Sequence, residues 1–415
     1  MSTHQKRSGK RALAFILLTL LIDTIGFGII IPVMPKLIMS LSGEPISAAA
    51  GYAGLMLFAF AAAHFVFSPV MGNLSDRFGR RPILLVSLAA LSVDYLIMAC
   101  APNLIWLFIG RVLSGLFGAT FATANAYVTD VTPEDKRAQA FGLLGAAWGL
   151  GFIIGPVLGG FLGEIDPKLP FFVAAAIAAL NTIYGFFVLP ETLPSHERRP
   201  FDWRRSNPVG ALIHFRRYPV LLGFAVIVIL YQIGHDANPA IFTYYTIHKF
   251  GWSEQEMGFA LAFTGITVIF SQTIVIRWTV ARFGELNSAY IGLITAATGF
   301  AGLGLATTGW QAYLALFSMS FMGLAMPSIR AMMARKVPAN AQGELQGALS
   351  SLMGLTMIAA PLVMTQLFRA FSAADAPVTL PGAPYLLAGL LMLLSALLLA
   401  RQVRRSPHPE QPPEN

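Results

Sequence analysis

The chain has 415 residues, 56% of them hydrophobic and only 12% charged, with a mean hydropathy of +0.66. A water-soluble domain carries roughly 25% charged residues, so this composition excludes an ordinary soluble enzyme or binding module and points to a membrane protein. The net charge of +8 suits nucleic acid only if it is clustered for it, and the placement of the basic residues below assigns it to topology instead.

The opening MSTHQKRSGKR is basic and runs into apolar sequence, as a secretory leader does. Its apolar run continues through Asp23 without a small-residue cleavage site, so a first membrane helix is expected rather than a removed leader. Crossing the hydrocarbon core takes about 20 mostly apolar residues. Windows of that kind fall at 12–34, 51–71, 83–101, 104–126, 139–163 and 170–189. A second set falls at 219–241, 257–276, 287–307, 310–329, 346–367 and 384–400. These twelve spans predict an all-α integral membrane protein of two six-helix bundles. The bundles are expected over 1–195 and 218–415, with a Pro-rich, charged linker at 196–217 between them.

Of the 28 basic residues, only Lys36, Lys168, Lys249 and Arg369 fall on the side away from the termini, and Arg111 lies within span 4. The positive-inside rule therefore predicts cytoplasmic termini and removes the case for a nucleic-acid partner. The single cysteine, Cys100, leaves no intrachain disulfide or cysteine metal cluster. One constant offset superposes Arg77-Phe78-Gly79 on Arg282-Phe283-Gly284, Pro133 on Pro338, Gly149 on Gly354 and Pro156 on Pro361. The halves thus read as parallel repeats, an arrangement that places a substrate site at midplane between them.

Between spans 2 and 3 lies GNLSDRFGRRP, residues 72–82. Together with the duplicated halves it resembles the signature loop of the major facilitator superfamily, and the resemblance covers essentially the whole chain. Gly72 and Gly79 permit a tight connection, and Asp76, Arg77, Arg80 and Arg81 supply its charge. The resemblance implies that Asp76 docks on the start of span 11, near Gln346, and that Arg80 links to Asp130 after span 4. A solvated loop whose charges only enforce topology is the plainer alternative. The second copy, RWTVARFGE, has Ala281 in place of the acid and Glu285 in place of Arg80, so only the first copy reads as a latch.

Span 5 contains GLLGAAWGLGFIIGPVLGG. Gly151, Gly155 and Gly159 recur every fourth residue, with Gly145 and Gly149 on another register, and Pro156 permits a bend. This stretch resembles the antiporter motif of exporters in the superfamily; tight packing without directional meaning is the alternative. Span 1, LIDTIGFGIIIPVMP, and span 4, RVLSGLFGATFATANAYVTD, resemble the tetracycline-resistance branch of the drug:proton antiporters.

Ionisable groups within spans are functional candidates. Asp23, Asp94 and Arg111 fall at similar depth, so Arg111 is expected to pair with Asp23, Asp94 or both; a permanent structural pair is the alternative. Span 7 carries Gln232, His235 and Asp236 ahead of Pro239, and span 2 carries His64 as a weaker candidate. Classical tetracycline antiporters have a His in span 8 and an Asp in span 9, where this chain has Val268 and Ala296. Proton chemistry is then expected in the first bundle and span 7. Phe27, Phe117, Phe121, Asn125, Tyr231, Gln232, Phe242, Tyr244, Phe317, Phe321 and Met322 are candidate cavity residues, being aromatic, polar or Met.

The expected function is a proton-coupled antiporter that exports a small amphipathic compound, tetracycline-like or another drug, across the inner membrane. The alternatives are a metabolite or sugar importer on the same fold and a non-transporting receptor or scaffold. No G-x-x-x-x-G-K-S/T phosphate loop occurs, nor a nucleophile or metal-ligand constellation. No catalytic residue, cofactor or metal is therefore expected; the expected partners are substrate, protons and the bilayer, with the chain as a monomer.

Overall fold

The computed structural model describes residues 3–118, 120–203, 207, 210, 220–338 and 341–405, with side chains from Leu13 to Arg404 apart from those of Thr120, Phe121, Ala122, Asp135 and Ala138. Among the described residues every regular element is a helix. The elements are α1 (Thr3–Ile30), α2 (Met34–Ser42), α3 (Ile46–Phe78), α4 (Arg80–Ala99), α5 (Leu104–Phe117), α6 (Thr120–Val131), α7 (Arg137–Ile165) and α8 (Leu169–Val188). They continue as α9 (Val220–Phe250), α10 (Glu254–Phe270), α11 (Ile276–Leu305), α12 (Gly309–Ser320), α13 (Ala325–Ala334), α14 (Gln342–Ser372) and α15 (Ala383–Arg405).

Ten helical runs among the described residues are long and apolar enough to cross a membrane. Two features reconcile that count with the twelve expected spans. The run Glu254–Leu305 takes in spans 8 and 9, turned at Gly284, whose φ of +76° and ψ of 172° are non-helical. Span 4 is divided into α5 and α6 at Gly118, a weak helix former. Span 10 is likewise interrupted by a 3-10 turn, Phe321–Leu324. Span 1 ends earlier than expected, at Ile30, because Pro32 cannot continue it; Pro35 then opens the short, unexpected α2.

Local chemistry sets several ends. The Asn103 side chain accepts the Ile105 and Trp106 N–H groups at 3.1 and 3.4 Å and so caps α5. Thr308 and Gln311 form a capping box at the start of α12. Gly79 joins α3 to α4 at φ +106°, a conformation that an L side chain rarely adopts.

Contacts divide the molecule into two compact units that do not follow the sequence halves. The first comprises Met1–Pro208, Ala240–Ile269 and Pro361–Pro381; the second comprises Val209–Pro239, Phe270–Ala360 and Gly382–Asn415. The divisions within α9 and α14 fall at Pro239 and Pro361, and the third adjoins a π turn at Ser271–Val275. Each is a place where the helix ladder loses regularity.

In the first unit α1 packs along α7 and α8, α3 along α5, and α4 against α5 and α8. Phe15, Ile16, Leu20, Leu84, Tyr127 and Val128 belong to its buried core. In the second unit α11 packs on α12, α13 and α15. Large apolar side chains such as Ile105, Ile165, Leu180 and Phe187 point away from protein, as lipid-facing helix surfaces do.

Candidate functional site

The charged layer of the first unit is built on α4 and α5, which the short Cys100–Asn103 connection holds side by side. Gly110 lets them approach: a Cβ there would sit 2.8 Å from Asp94 Oδ1 and 2.7 Å from Met98 Cγ. Asp94 is 1% exposed and Arg111 5%. Arg111 Nη2 lies 3.8 Å from Asp94 Oδ2, 3.0 Å from the weak acceptor Met98 Sδ and 3.4 Å from Ser114 Oγ. The Ser114 hydroxyl donates to Asp94 Oδ2. Asp94 Oδ1 and Arg111 Nε are buried without a hydrogen-bond partner. A buried charge pair left half-satisfied is a costly arrangement.

Asp23 sits half-buried on α1, and no ion pair joins it to Arg111 among the described residues. Tyr95, which sequence reasoning passed over, follows Asp94 on α4 and is buried. Its phenol packs 3.5 Å from the Cβ position of Gly26, three residues after Asp23 on α1. The only hint in the sequence is its place beside Asp94. His64 stacks on Phe60 with ring centroids 5.8 Å apart, and its Nδ1 lies 3.3 Å from the Cβ position of Gly118, where span 4 breaks.

The glycines of α7 divide by register. A Cβ on Gly155 would lie 2.8 Å from Gly28 Cα, and one on Gly151 2.6 Å from Thr24 Cβ. Gly159 meets the backbone of Ile29, and Pro156 Cδ lies 2.9 Å from the Cβ position of Gly28. Thus α1 and α7 touch almost backbone to backbone beside Asp23. Gly149 faces Ile269 instead, and Gly145 faces open space.

At the α3–α4 corner, Arg80 gathers the polar groups. Its Nη1 donates to Asp76 Oδ1 at 2.5 Å and to Ser75 Oγ at 2.7 Å, and its Nε to Asp130 Oδ2 at 3.3 Å. The chain after α8 closes the cluster. Glu191 Oε1 accepts the Arg80 backbone N–H at 2.9 Å, and Thr192 Oγ1 donates to Asp130 Oδ2 at 3.2 Å. Arg199 N–H donates to the Asp76 carbonyl at 3.1 Å. Arg81 donates to the Phe186 carbonyl at 2.7 Å, Arg77 lies over the Phe78 ring, and Gly72 faces open space. Glu191 and Thr192 follow span 6, at the end of the first bundle's range, where the sequence marked no site residue, so their role was missed. Replacing Arg80 by alanine should strand two carboxylates; an expected loss of about 1.5–3 kcal/mol would be read as a lower thermal midpoint in detergent.

In the second unit, Gln232 Nε2 donates to Asp236 Oδ1 at 2.8 Å, and His235 Nδ1 lies 2.9 Å from the same oxygen. Neighbouring residues diverge around a helix, yet the short Asp236 side chain turns towards His235. Asp236 Oδ2 is buried without a hydrogen-bond partner. The Tyr231 ring stacks on His235, and its hydroxyl donates to the Met322 carbonyl at 3.2 Å, within the 3-10 turn that holds Phe321. Gln272, in the π turn, packs 2.9 Å from the Cβ position of Gly323 and was not anticipated.

Of the remaining cavity candidates, Phe27 is exposed, Asn125 half-buried, and Phe117 packed beside Met71 and Ile83. Phe242 and Tyr244 are buried, and Phe317 stacks edge-on with Phe321 at 5.2 Å. The side chain of Phe121 lies outside the described residues.

The profile of the Major Facilitator Superfamily matches residues 16–361 and 237–415. The chain is 37% identical over 359 residues to the tetracycline resistance protein, class C, of Escherichia coli, covering 86% of this chain and 90% of the relative. It is 38% identical over 364 residues to the class G protein of Vibrio anguillarum, covering 85% and 89%. Among solved structures, the nucleoside transporter NupG matches with a TM-score of 0.77 at 11% identity, over 95% of this chain and 99% of that one. That last likeness is one of fold alone.

Proposed function

The chain belongs to the Major Facilitator Superfamily, and from that membership we propose that it exports a small amphipathic compound in exchange for protons across the inner membrane, its termini in the cytoplasm. The observation that carries this reading is the buried Asp94–Ser114–Arg111 cluster beside Asp23. A proton on Asp94 cancels its attraction for Arg111, so protonation and helix packing are coupled at one place. The His235–Asp236–Gln232 group offers a second such place.

Two further lines support export. The relatives at 37% and 38% identity are named for tetracycline resistance. The Gly151–Gly155–Gly159 face lies against α1 at the level of Asp23 and the residues that follow it, which is unlike an incidental glycine pattern. Tetracycline-like and other amphipathic drugs are the substrate class. Val268 and Ala296 place no ionisable group where classical tetracycline antiporters have His and Asp, which shifts the proton chemistry to the first bundle and span 7. The Asp76–Arg80–Asp130 cluster is proposed as the cytoplasmic latch.

The test pairs a drug-susceptibility panel in a pump-deficient host with proton release from inverted vesicles. Resistance to several amphipathic drugs, each eliciting proton release, is the expected result. A host with unchanged susceptibility and vesicles that instead accumulate a sugar or metabolite would overturn export.

A further inference from the structure

At the end of the first unit opposite the start of α1, Glu254 opens α10 and is 0% exposed. Its Oε2 is held by Lys36 Nζ from α2, a lysine whose side chain is 50% exposed. Its Oε1 is buried and has no hydrogen-bond partner. A buried carboxylate is tolerable only while a counter-charge stays against it; here that charge comes from a residue over two hundred positions away in the chain.

The helices of this end approach closely at glycines, which meet either backbone or a single side chain of the facing helix. Gly160 faces the Glu254 carbonyl, its Cβ position 2.6 Å away, and Gly258 faces the Pro156 carbonyl at 2.5 Å. Gly265 meets Ile153 at 2.6 Å, and Gly51 meets Arg369 at 3.0 Å. Gly54 receives Thr365, which is 0% exposed. So α7 closes on α10, and α3 on α14, with the charged pair at the rim. Separating these helices would hydrate Glu254 and free Lys36, so the attraction stabilises only the closed arrangement.

We propose that Lys36 and Glu254 are positioning residues of the transport cycle, an ion-pair lock that sets how often the protein opens on its outer face. This rests on the export reading only for the direction it assigns to that face. Labelling reads the lock itself and needs no substrate, so the two ideas fail separately.

The test uses full-length protein carrying Cys100→Ser and the reporter Thr365→Cys, labelled in intact cells with a membrane-impermeant maleimide. Lys36→Gln and Glu254→Gln should each speed labelling by about tenfold, the factor that about 1.4 kcal/mol supplies. The double variant should label no faster than either single one, because one interaction has been removed in each case. Rates equal to the parent in both singles, or single effects that multiply in the double, would overturn the lock. Should the Glu254 variant fail to fold, the half-exposed Lys36 position still decides the matter: an unchanged rate in Lys36→Gln refutes the proposal.

Discussion

Replacing Arg111 by glutamine is expected to abolish proton-driven export and to lower stability by about 3–5 kcal/mol, the cost of breaking a buried charge pair from one side. Asp94 is 1% exposed and would keep only the Ser114 hydroxyl as a donor. Arg111→Lys should lose less stability than Arg111→Gln, because the contacts to the carboxylate, Met98 Sδ and Ser114 Oγ are all made by the one nitrogen Nη2, whose place a three-donor ammonium can take. Asp94→Asn leaves the opposite charge stranded and should be destabilised comparably to Arg111→Gln. The informative variant is Arg111→Gln combined with Asp94→Asn. With both charges gone, the thermal midpoint should recover towards the parent while export stays absent. Thermal unfolding in detergent and drug-driven proton release from inverted vesicles measure the two outcomes separately. Recovery of export in the double variant would reduce the cluster to scaffolding.

The helical spans were legible because hydrocarbon thickness demands a long apolar run wherever the chain crosses. Composition carries that demand with little help from tertiary contacts. The exceptions are local and have local causes. Pro32 stopped α1 early and released α2, and Gly118 divided span 4. Hydropathy windows are blind to both, because a glycine or proline barely changes an average over about 20 residues.

The site was legible only in part, and the reason is reach. Asp23, Asp94 and Arg111 announced themselves as charges in apolar sequence. Which of them would touch depended on how α4 meets α5, and that is decided by Gly110, a residue with no side chain to read. Tyr95 looked like one aromatic among many. Glu191 lay in a charged stretch where one more acid carries no signal, yet it binds the backbone of Arg80. Glu254 and Lys36 stood at the edges of spans, where charge is ordinary. Only the fold shows that Glu254 is buried there.

The glycine face of α7 makes the second large prediction. A Cβ on Gly155 would fall 2.8 Å from both Gly28 Cα and the Ile25 carbonyl. Both obstacles are backbone, which cannot rotate aside, so the helices must separate. Gly155→Ala should therefore cost about 1–3 kcal/mol as overpacking, and Gly155→Leu should leave little folded protein. Gly145 is the control on the same helix, with nothing within 4 Å of its Cβ position. Gly145→Ala should leave stability within about 0.5 kcal/mol of the parent and export intact. The contrast reaches function through Asp23. Gly151 meets Thr24, the residue after Asp23, so moving α7 outward also frees α1 to shift that acid relative to Tyr95 and Asp94. Gly155→Ala should then lose export by more than the fraction unfolded explains, measured as transport per correctly folded molecule. Equal damage from Gly145→Ala would mean that the helix as a whole, and not its contact with α1, sets the requirement for glycine.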